Sequence, residues 1–557
     1  MRRFRHLPIA VAFFTLGLGL LAVAPPPQRG ASLVSSDHRL ASDAGAEILA
    51  KGGNAIDAAV ATALAAGVVQ PAGSGLGGGG FAIVVQSGEA PYALDFRETA
   101  PAAATRDMYR TEDGGVHDTA SRKGGLSVGI PGEGRGLAKL LAQRGTMTPA
   151  DVAAPAIRLA SRGFSLGPHL AGSLERTKSA EVRALFGVGE AAPRPGTSIK
   201  RVALGKTLKK WASSGGDYLY TGPGAESIAA TVQDRGGILT AADLAAYSTR
   251  DRKPVIAKYK GYTLVTMPLP SSGGVVLGQM LGVLEAYDLP ALGHNSSEYI
   301  HLLSEVMKHA YADRARQMGD PDFVDVPVDR LMSGERIADV RRKILPTRTF
   351  DAEYYGELAE PAKDAGTQHI SVIDSNGNAV ALTTTINLSF GSGVVDEQTG
   401  IILNDEMDDF TAAPGVPNAF GLVGQEANAV EPGKRPLSSM TPTVVLDADG
   451  KVVMSIGASG GSFIITSVMQ TFLNITEFGM DPQEAVAAPR FHHQWQPNHI
   501  FLETDGFPVD VRRSLESRGH ALYDLGRFSA CQVVRVGENG LDGGADPSKG
   551  GWPAGIW

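Results

Sequence analysis

Two threonines, Thr367 and Thr385, are the residues whose type and spacing most directly suggest covalent catalysis. Thr367 follows Gly366 and opens the segment TQHISVIDSNGNAVALTTTIN, and Thr385 lies near the end of that segment. A threonine hydroxyl is a poor nucleophile at neutral pH and needs a base. A chain-terminal α-amino group, with a pKa of about 7.7–8.0, is such a base on the same residue. In mid-chain that nitrogen is an amide, so catalysis by Thr367 requires that it become a terminus.

The pattern of this segment predicts a β-hairpin with both threonines on one face. Ser375-Asn376-Gly377 fits a three-residue loop with a left-handed glycine, so that Asp374 opposes Asn378 and Thr367 opposes Thr385. One face is then apolar (Ile370, Val372, Val380, Leu382) and the other small and mostly polar (Thr367, His369, Ser371, Ala381, Thr383, Thr385). A two-residue Asn-Gly turn would mix these faces. Paired threonines also stabilise sheets without catalysing anything, so the pattern alone leaves both interpretations open.

Ser459 is a competing candidate nucleophile. The stretch Gly457-Ala458-Ser459-Gly460-Gly461 fits G-x-S-x-G and lies between a predicted strand, VVMSIG, and a predicted helix, FIITSVMQTFLNI. That order is typical of the nucleophile elbow of serine hydrolases. From the motif alone, a catalytic serine therefore remains an alternative.

The segment RFHHQWQPNH brings three histidines close together in sequence, namely His492, His493 and His499. Neighbouring residues of a strand point to opposite faces, so His492 and His493 are not expected to converge on one ion. No other ligand cluster in the sequence supports a metal. We predict structural histidines, no metal and no cofactor.

The segment SDAGAEILAKGGNAIDAAVATALAAG predicts two successive helices in the first part of the chain. Ser42 is placed to cap the first, Gly52 and Gly53 to stop it, and Asn54 to cap the second. The next stretch, GSGLGGGGFAIVVQ, predicts a glycine loop running into a strand. It matches G-x-G-x-x-G, but a dinucleotide site needs the order strand, loop, helix. We therefore predict close backbone packing at these glycines.

The rest of the chain divides into two halves of different character. Residues 150–350 have mostly helical patterns, including SSEYIHLLSEVMKHAYADRARQMG, and strands dominate after residue 366. Between them, residues 350–366 are polar, acidic and poor in strand formers, which predicts a flexible connector.

Composition limits the possible classes of function. The chain has 557 residues, 43% of them hydrophobic, 69 glycines and a formal net charge of −8. This mildly acidic, evenly spread charge argues against a nucleic-acid-binding surface. Cys531 is the only cysteine, so an internal disulfide is impossible.

The first 24 residues predict an export signal. Basic residues precede an apolar run over residues 7–24, which ends in Ala22-Val23-Ala24. Pro25 directly after this site is unfavourable for cleavage, so an uncleaved membrane anchor remains the alternative. Either segment predicts an exported protein, periplasmic or extracellular.

Taken together, the motifs resemble those of the γ-glutamyltranspeptidase (glutathione hydrolase) family of N-terminal-nucleophile hydrolases. The resemblance covers residues from about 30 to 546. The segments that carry it occur in the family's order and are LASDAGAEILAKGGNAIDAAVA, GSGLGGGGF, LDFRETAP, GIPGEGRG, TQHISVIDSNGNAVALTTTIN, LNDEMDDF, KRPLSSMTPT, GASGGS and APRFHHQW. It implies an α+β fold, a four-layer αββα sandwich.

Family membership implies that the precursor cuts itself between Gly366 and Thr367. Residues 25–366 would become a large subunit and residues 367–557 a small one, both within one intertwined domain. Thr367 would then be the nucleophile and its freed amine the base. Thr385 would orient that nucleophile.

The resemblance also assigns the substrate-binding residues. Gly460 and Gly461 of GASGGS would form the oxyanion hole. The family's γ-glutamyl-binding positions correspond to Arg97, Ser438 and Ser439 for the α-carboxylate, and to Asn387, Glu406 and Asp409 for the α-ammonium. The implied reaction cleaves glutathione and other γ-glutamyl compounds and passes the γ-glutamyl group to water or to amino acid or dipeptide acceptors.

The sequence departs from the family at three places. Phe420 in the lid-like segment 414–430 stands where some members have tyrosine, so a hydroxyl latch is missing. Ser459 stands at a position where the family usually has proline, which favours a loop role. The last residues, DPSKGGWPAGIW, diverge after Asp546 and Pro547.

Two further functions remain as alternatives. A β-lactam acylase of the same superfamily would not need an anion for a substrate amine, so Asp409 favours the γ-glutamyl interpretation. An uncleaved, inactive relative that binds γ-glutamyl peptides is the other alternative, against which the presence of Thr367, Thr385, Gly460 and Gly461 argues.

Overall fold

The computed structural model describes residues 28–117, 119–189, 191, 193–356 and 366–556. The predicted signal segment 1–24 lies outside the described residues, as does most of the predicted connector, 357–365. In the part of the chain that is described, no helix has the length and apolar character needed to span a bilayer.

Helices and strands are both numerous. The helices are α1 Arg39–Ala50, α2 Ala55–Val69, α3 Glu133–Arg144, α4 Pro149–Arg162, α5 Pro168–Arg176, α6 Ala180–Leu185, α7 Val202–Ser213, α8 Pro223–Asp234, α9 Ala241–Ala246, α10 Gly273–Leu284, α11 Leu289–Leu292, α12 Ser297–Gln317, α13 Val328–Leu331, α14 Gly334–Lys343, α15 Ile464–Thr476, α16 Pro482–Ala487 and α17 Val509–Ser517. The strands are β1 Gln28–Gly30, β2 Ser32–Ser36, β3 Gly79–Val85, β4 Tyr92–Phe96, β5 Phe164–Ser165, β6 Ser198–Ile199, β7 Arg250–Arg252, β8 Val255–Tyr259, β9 Tyr262–Thr266, β10 Gln368–Ile373, β11 Ala379–Thr385, β12 Val395–Asp396, β13 Ile401–Ile402, β14 Thr443–Leu446, β15 Val452–Ser459, β16 Phe491–His492, β17 Ile500–Glu503, β18 Leu522–Leu525, β19 Ala530–Gly537, β20 Gly540–Ala545 and β21 Trp552–Ile556.

Two antiparallel seven-stranded sheets occupy the centre of the molecule. Their strand orders are β21-β2-β10-β11-β3-β4-β7 and β1-β20-β19-β15-β14-β9-β8. Strands β10 and β11 pack against β15 and β19 of the other sheet, α1 and α2 cover the outer side of the first sheet, and α10, α15 and α16 cover the second. The layers therefore run helix, sheet, sheet, helix, and the α+β prediction is confirmed.

The hairpin that begins at Thr367 has the predicted register. Gln368 pairs with Thr384 and Ile373 with Ala379, and the Asp374 N–H bonds to the Asn378 carbonyl. The apolar face joins the core beneath α1 and α2. The polar face lies between the sheets, since the Ser371 hydroxyl donates to the Gln532 carbonyl at 3.2 Å. Both faces of this hairpin are thus buried.

One helix cap differs from the prediction. Helix α1 begins at Arg39, and the His38 ring accepts a hydrogen bond from the Leu40 N–H. Ser42 lies inside the helix, where its hydroxyl is 2.7 Å from that of Ser36. The prediction that Ser42 caps α1 was wrong, because His38 is the N-cap and accepts a hydrogen bond from an N–H group of the first turn. The predicted Asn54 cap of α2 is confirmed.

The glycine loop is packed tightly, as predicted. A Cβ added at Gly78 would lie 1.9 Å from the carbonyl oxygen of Thr385, and one at Gly77 would lie 2.1 Å from that of Ile402. No side chain fits at such distances. The loop therefore lets β3 approach β11 closely where Thr385 lies.

The described start of the predicted connector is packed onto the protein rather than free. Tyr355 is buried and its hydroxyl bonds to Glu305, and the rings of Phe350 and Tyr354 stack 4.1 Å apart. Aromatic residues within a polar stretch explain the difference, because their burial stabilises local order. The flexible-connector prediction is wrong for residues 350–356.

Candidate active site

Thr367 lies buried between two open spaces, with Thr385 beside it. The two hydroxyl oxygens are 3.2 Å apart, and the Thr385 hydroxyl also donates to the Gly366 carbonyl oxygen at 3.0 Å. The Thr367 hydroxyl bonds to the same carbonyl. Two hydroxyl groups therefore contact the carbonyl oxygen of the bond between Gly366 and Thr367.

The backbone around Gly366 is also fixed. Its N–H donates to the Asn387 carbonyl at 2.8 Å. A Cβ at this position would lie 2.8 Å from the Leu388 carbonyl carbon, so a larger residue would push this backbone apart. Glycine thus lets the residue before Thr367 pass closely over the end of β11.

Gly460 and Gly461 lie where β15 ends and α15 begins. They have φ of +136° and +58°, both in the region that favours glycine. A Cβ at Gly461 would lie 2.3 Å from the Phe420 ring. N–H groups at the start of a helix lack hydrogen-bond partners within the helix. The N–H groups of Gly460 and Gly461 can therefore donate hydrogen bonds to an anion beside Thr367.

One small cleft on one side of Thr367 gathers nearly all the predicted site residues. Its free volume is only about 20 Å³. The predicted residues that line it are Thr367, Thr385, Gly461, Arg97, Asn387, Glu406, Asp409, Ser438 and Ser439. The sequence motifs that lie far apart along the chain thus meet at one place.

Arg97 is not free in this cleft. Its guanidinium forms ion pairs with Glu406 and with Asp409, and it donates to the Pro436 carbonyl at 3.2 Å. The residue predicted to hold a carboxylate and two residues predicted to hold an ammonium therefore neutralise one another. A zwitterionic ligand with both groups would exchange these pairs for its own.

The cleft carries more acids than Arg97 alone can balance. Glu98 lies 3.8 Å from the same guanidinium. Burial raises the pKa of Glu98 to about 8, against the lowering effect of Arg97. Burial likewise raises the pKa of Glu406 and of Asp409, with Arg97 again opposing. A cationic ligand group would favour the charged forms of these acids.

Arg314 is a site residue that sequence reasoning missed. It comes from α12, is buried and lines the cleft. Its guanidinium donates to the hydroxyls of Ser272 at 2.9 Å and Ser439 at 3.3 Å. Burial lowers its pKa to about 10. The only signal in the sequence was a basic residue within a helix that is otherwise buried, which by itself did not predict a site.

The lid-like segment 414–430 covers the cleft. The Asn418 amide donates to Asp409 at 3.1 Å, and the Gln494 amide donates to the Phe420 carbonyl at 3.1 Å. The Phe420 ring packs on Gly461 and lines both open spaces beside Thr367. Hydrogen bonds from side-chain amides and ring packing thus hold this lid, in which Phe420 has no hydroxyl.

A larger cavity of about 460 Å³ opens on the other side of Thr367. Phe463 and Phe528 stack in its wall with centroids 4.5 Å apart, and Phe501 meets Phe463 edge-on at 5.5 Å. Arg176 and Arg527 also line this space. It is large enough for a small ligand, and it combines aromatic walls with positive charge.

Ser459 does not reach either open space. It is fully buried. Its hydroxyl donates to the Asp37 carboxylate at 2.9 Å and accepts from the Lys549 ammonium at 2.7 Å. Thr367, by contrast, lines both spaces. The geometry favours Thr367 over Ser459 as the nucleophile.

The three predicted structural histidines have separate surroundings. The ring of His492 bonds to the Thr466 hydroxyl at 2.7 Å, His493 accepts from the Trp495 N–H at 3.0 Å, and His499 stacks on Tyr523 with centroids 5.2 Å apart. His492 and His493 are both buried.

A different group has the spacing of metal ligands. Within the described ranges, His301, Glu305 and His520 lie close enough for one ion. However, the rings of His301 and His520 bond to each other at 2.7 Å, and Glu305 accepts from the Lys308 ammonium at 3.1 Å. A neighbouring ammonium opposes a second cation, so these residues do not fit a metal site.

Comparison with known proteins bears directly on this site. The sequence profile of the family described as Gamma-glutamyltranspeptidase matches residues 41–556. The chain is 41% identical over 539 residues to the glutathione hydrolase proenzyme of Pseudomonas sp. (strain A14), covering 96% of this chain and 92% of that protein.

Two solved structures are similar to this one. The cephalosporin acylase from Bacillus halodurans matches with a TM-score of 0.82 and 27% identity, covering 100% of this chain and 99% of that one. The Helicobacter pylori gamma-glutamyltranspeptidase matches with a TM-score of 0.55 and 38% identity, covering 58% of this chain and 96% of that one.

The paired sheets and these structural neighbours define the class, which is that of the N-terminal-nucleophile hydrolases. The profile match and the identity over nearly the whole length then fix the family. The chain belongs to the gamma-glutamyltranspeptidase family.

Proposed function

We propose that the protein is a self-processing γ-glutamyltransferase and glutathione hydrolase with Thr367 as its nucleophile. The observation that carries this proposal is the convergence on Thr367 of Thr385, of Gly460 and Gly461, which line the two spaces beside it, and of the cleft of Arg97, Glu406 and Asp409. The enzyme would cleave the γ-glutamyl amide bond of glutathione and related compounds. No step requires a metal or an organic cofactor.

The first step of the proposal is self-cleavage. The Thr367 hydroxyl oxygen attacks the Gly366 carbonyl carbon, and the peptide nitrogen leaves as the amine of Thr367. The resulting ester is hydrolysed by water, which gives a carboxylate on Gly366 and a free hydroxyl on Thr367. The Thr385 hydroxyl, 3.0 Å from the Gly366 carbonyl oxygen, would stabilise the developing negative charge.

In the mature enzyme the same hydroxyl attacks the γ-carbonyl of the substrate. The free amine of Thr367 accepts its proton and later gives it to the leaving amine. The N–H groups of Gly460 and Gly461 would stabilise the tetrahedral oxyanion. The γ-glutamyl ester on Thr367 is then attacked by water or by an acceptor amine.

The cleft suits the head of a γ-glutamyl group. Ser438, Ser439 and Arg97 would take its α-carboxylate, since a guanidinium fork matches a carboxylate in shape. Asn387, Glu406 and Asp409 would take its α-ammonium. With a free volume of about 20 Å³, the cleft admits this group only after Arg97 leaves the two acids and the lid shifts.

The larger cavity would hold the rest of the donor and, later, the acceptor. It adjoins Thr367 on the side opposite the cleft. A leaving group must occupy that side if the γ-glutamyl head occupies the cleft. An amino acid or dipeptide fits its volume of about 460 Å³.

The proposal includes the organisation of the precursor. Residues 25–366 and 367–557 would form the large and small subunits of one domain, and segment 1–24 would direct export to the periplasm or beyond. The interlocked sheets support this, since β1, β2, β3 and β9 from before the cut pair with strands from after it.

The test of the proposal is a comparison of wild type with Thr367→Ala. Wild type should yield two fragments on a denaturing gel, the smaller with Thr367 as its N-terminal residue, and should release p-nitroaniline from γ-glutamyl-p-nitroanilide. Thr367→Ala should stay whole and inactive. A Thr367→Ala chain that splits and turns over the donor would overturn the proposal, and a whole, inactive wild type would favour a binding protein.

The second candidate function is that of a β-lactam acylase, favoured by the overall likeness to the cephalosporin acylase. The buried acids of the cleft oppose it, because a glutaryl side chain carries no ammonium for them to bind. Turnover of γ-glutamyl-p-nitroanilide and of glutaryl-p-nitroanilide separates the two. Preference for the glutaryl compound would establish the acylase.

A further inference from the structure

The most notable cluster that the proposed mechanism leaves unused lies directly behind Thr367. The ammonium of Lys549 donates to the Thr367 carbonyl oxygen at 2.7 Å. The same ammonium donates to Ser459 at 2.7 Å and to Asp37 at 3.2 Å. Three residues from three distant parts of the chain thus meet at the backbone of the nucleophile.

The local fold fixes Lys549 in this place. Asp546 is held by a buried ion pair with Arg490 at 2.6 Å, and its carboxylate accepts from the Ser548 N–H as a helix cap. A single 3-10 turn, Pro547–Lys549, then carries the lysine toward Thr367. Gly550 ends the turn in the left-handed region, with φ of +82°. The divergent C-terminus is therefore the element that delivers the lysine.

The partners of Lys549 are equally well held. Asp37 is fully buried, and its other carboxylate oxygen accepts from the Gln532 amide at 2.7 Å. Ser459 bridges Asp37 and Lys549. The serine of the G-x-S-x-G motif is thus a link in a charged cluster.

This placement matters because of what cleavage does to Thr367. After the cut, the Thr367 nitrogen is a free amine on the residue whose carbonyl the ammonium holds. Carbonyl oxygen and nitrogen of one residue are about 3 Å apart, so the two amines come within roughly 6 Å of each other. A positive charge at that distance disfavours a second one.

We propose that Lys549, oriented by Asp37 and Ser459, is a positioning residue that fixes the Thr367 carbonyl and keeps the neighbouring α-amino group unprotonated. The inference rests on the proposed role of Thr367 as nucleophile and base. Asp37 moderates the effect, because its carboxylate partly offsets the charge of the lysine.

Other charged groups also face Thr367. On the cleft side these are Arg97, Arg314, Glu406 and Asp409, with Glu98 3.8 Å from Arg97, and on the cavity side they are His169, Arg176 and Arg527. Burial, followed by the charge of Lys549, lowers the pKa of His169 to about 3. His169 is therefore uncharged at neutral pH. None of these residues is itself substituted in the test, and although loss of Lys549 removes one charge that lowers the pKa of His169, burial remains the largest cause.

The test is the pH dependence of kcat/KM for γ-glutamyl-p-nitroanilide, whose acid limb reports the free enzyme's base. Lys549→Met removes the positive charge and should move that limb up by about one pH unit. Asp37→Asn keeps the lysine but removes its negative partner, so the acid limb should shift to lower pH by up to about one unit. Opposite shifts are not expected from a merely structural contact.

Three further variants complete the design. Ser459→Ala removes a bridging hydroxyl without altering charge, so it should move the acid limb of the pH profile by less than either charge variant does. Lys51→Met breaks an exposed pair with Glu47 on the surface and should leave the limb in place. Lys549→Arg restores the charge and should bring the limb back toward wild type.

Shifts in the same direction for both charge variants, or no shift in either, would overturn the inference. If the Lys549→Met precursor does not cleave itself, the Asp37→Asn variant alone tests the proposal. An acid limb of Asp37→Asn that lies at the same pH as in wild type, or at a higher pH, would contradict it. A wild type without activity on γ-glutamyl amides would remove the proposed function instead, so the two failures are distinguishable.

Discussion

The hydroxyl of Thr385 donates a 3.0 Å hydrogen bond to the carbonyl oxygen of Gly366, the residue before the proposed nucleophile. This contact supports a proposed role of Thr385 in the cut as well as in catalysis. Thr385→Val keeps the shape but removes the donor, so self-cleavage should slow by about 10²–10³-fold, as for other oxyanion donors. The fraction of cleaved chain against time on a denaturing gel measures this.

The neighbouring threonine provides a matched control. Thr384 is equally buried, and its hydroxyl has no hydrogen-bond partner among the described residues. Thr384→Val should therefore cleave at close to the wild-type rate, and Thr385→Ser should recover most of the loss. A Thr385→Val precursor that matures as fast as wild type would show that the bond to Gly366 has no part in the cut.

A second prediction concerns the ion pairs of Arg97. The guanidinium is 1% exposed and neutralises Glu406 and Asp409. Arg97→Met leaves two buried carboxylates without their cation, which should lower the free energy of unfolding by about 3–5 kcal/mol. Urea unfolding in a Thr367→Ala background, where the proposed cut does not occur, measures the change.

Arg512→Met is the control for Arg97→Met. Arg512 pairs with Asp524 at 2.7 Å, but its side chain is 28% exposed and that of Asp524 47%. Loss of such a surface pair should cost less than about 1 kcal/mol. If both variants lower the free energy of unfolding by the same amount, burial does not make the Arg97 ion pairs more important for stability than a surface pair.

Much of the frame around Thr367 was predictable because it rests on local patterns. Strict alternation fixed the hairpin register, since a slip by one residue would have exchanged its two faces. The glycines of the loop before β3 predicted close packing, because a Cβ at Gly78 would lie 1.9 Å from the Thr385 carbonyl oxygen. Such features follow from the backbone and from residues close in sequence.

Contacts between distant residues were not predictable in the same way. The Lys549–Asp37 pair joins the two ends of the chain, and Arg314 enters the site from a helix whose pattern indicates only burial. The pairs of Arg97 with Glu406 and Asp409 join residues 309 and 312 positions apart. The resemblance gave these three residues roles toward a substrate, and it did not indicate that they pair with one another.

A third prediction concerns pH and the histidine between the two sheets. His369 is fully buried, with its ring 2.8 Å from the Thr383 hydroxyl, and burial lowers its pKa to about 3. An unfolded histidine has a pKa of about 6.5 and so binds the proton more readily. The stability due to neutral His369 is therefore complete above about pH 6.5 and is lost as pH falls below it.

The measurement compares wild type with His369→Gln between about pH 7.5 and pH 5. The advantage of wild type in unfolding free energy should shrink by about 1.4 kcal/mol per pH unit below about pH 6.5. His117→Gln, at an exposed position, should keep the slope of wild type. A constant difference between wild type and His369→Gln at all pH values would contradict the buried, neutral ring.

The last prediction concerns the aromatic wall of the larger cavity. Phe463, Phe501 and Phe528 contact one another there, on the side where the donor's leaving group is proposed to lie. Burial of an aromatic leaving group against these rings should favour γ-glutamyl-phenylalanine over γ-glutamyl-alanine in kcat/KM by about tenfold or more. Phe528→Ala should reduce that ratio toward about one, because the stacked ring is lost. Phe323→Ala, which removes a 41% exposed ring on the surface, should leave the ratio unchanged. A Phe528→Ala enzyme with the wild-type ratio would mean that the leaving group lies elsewhere.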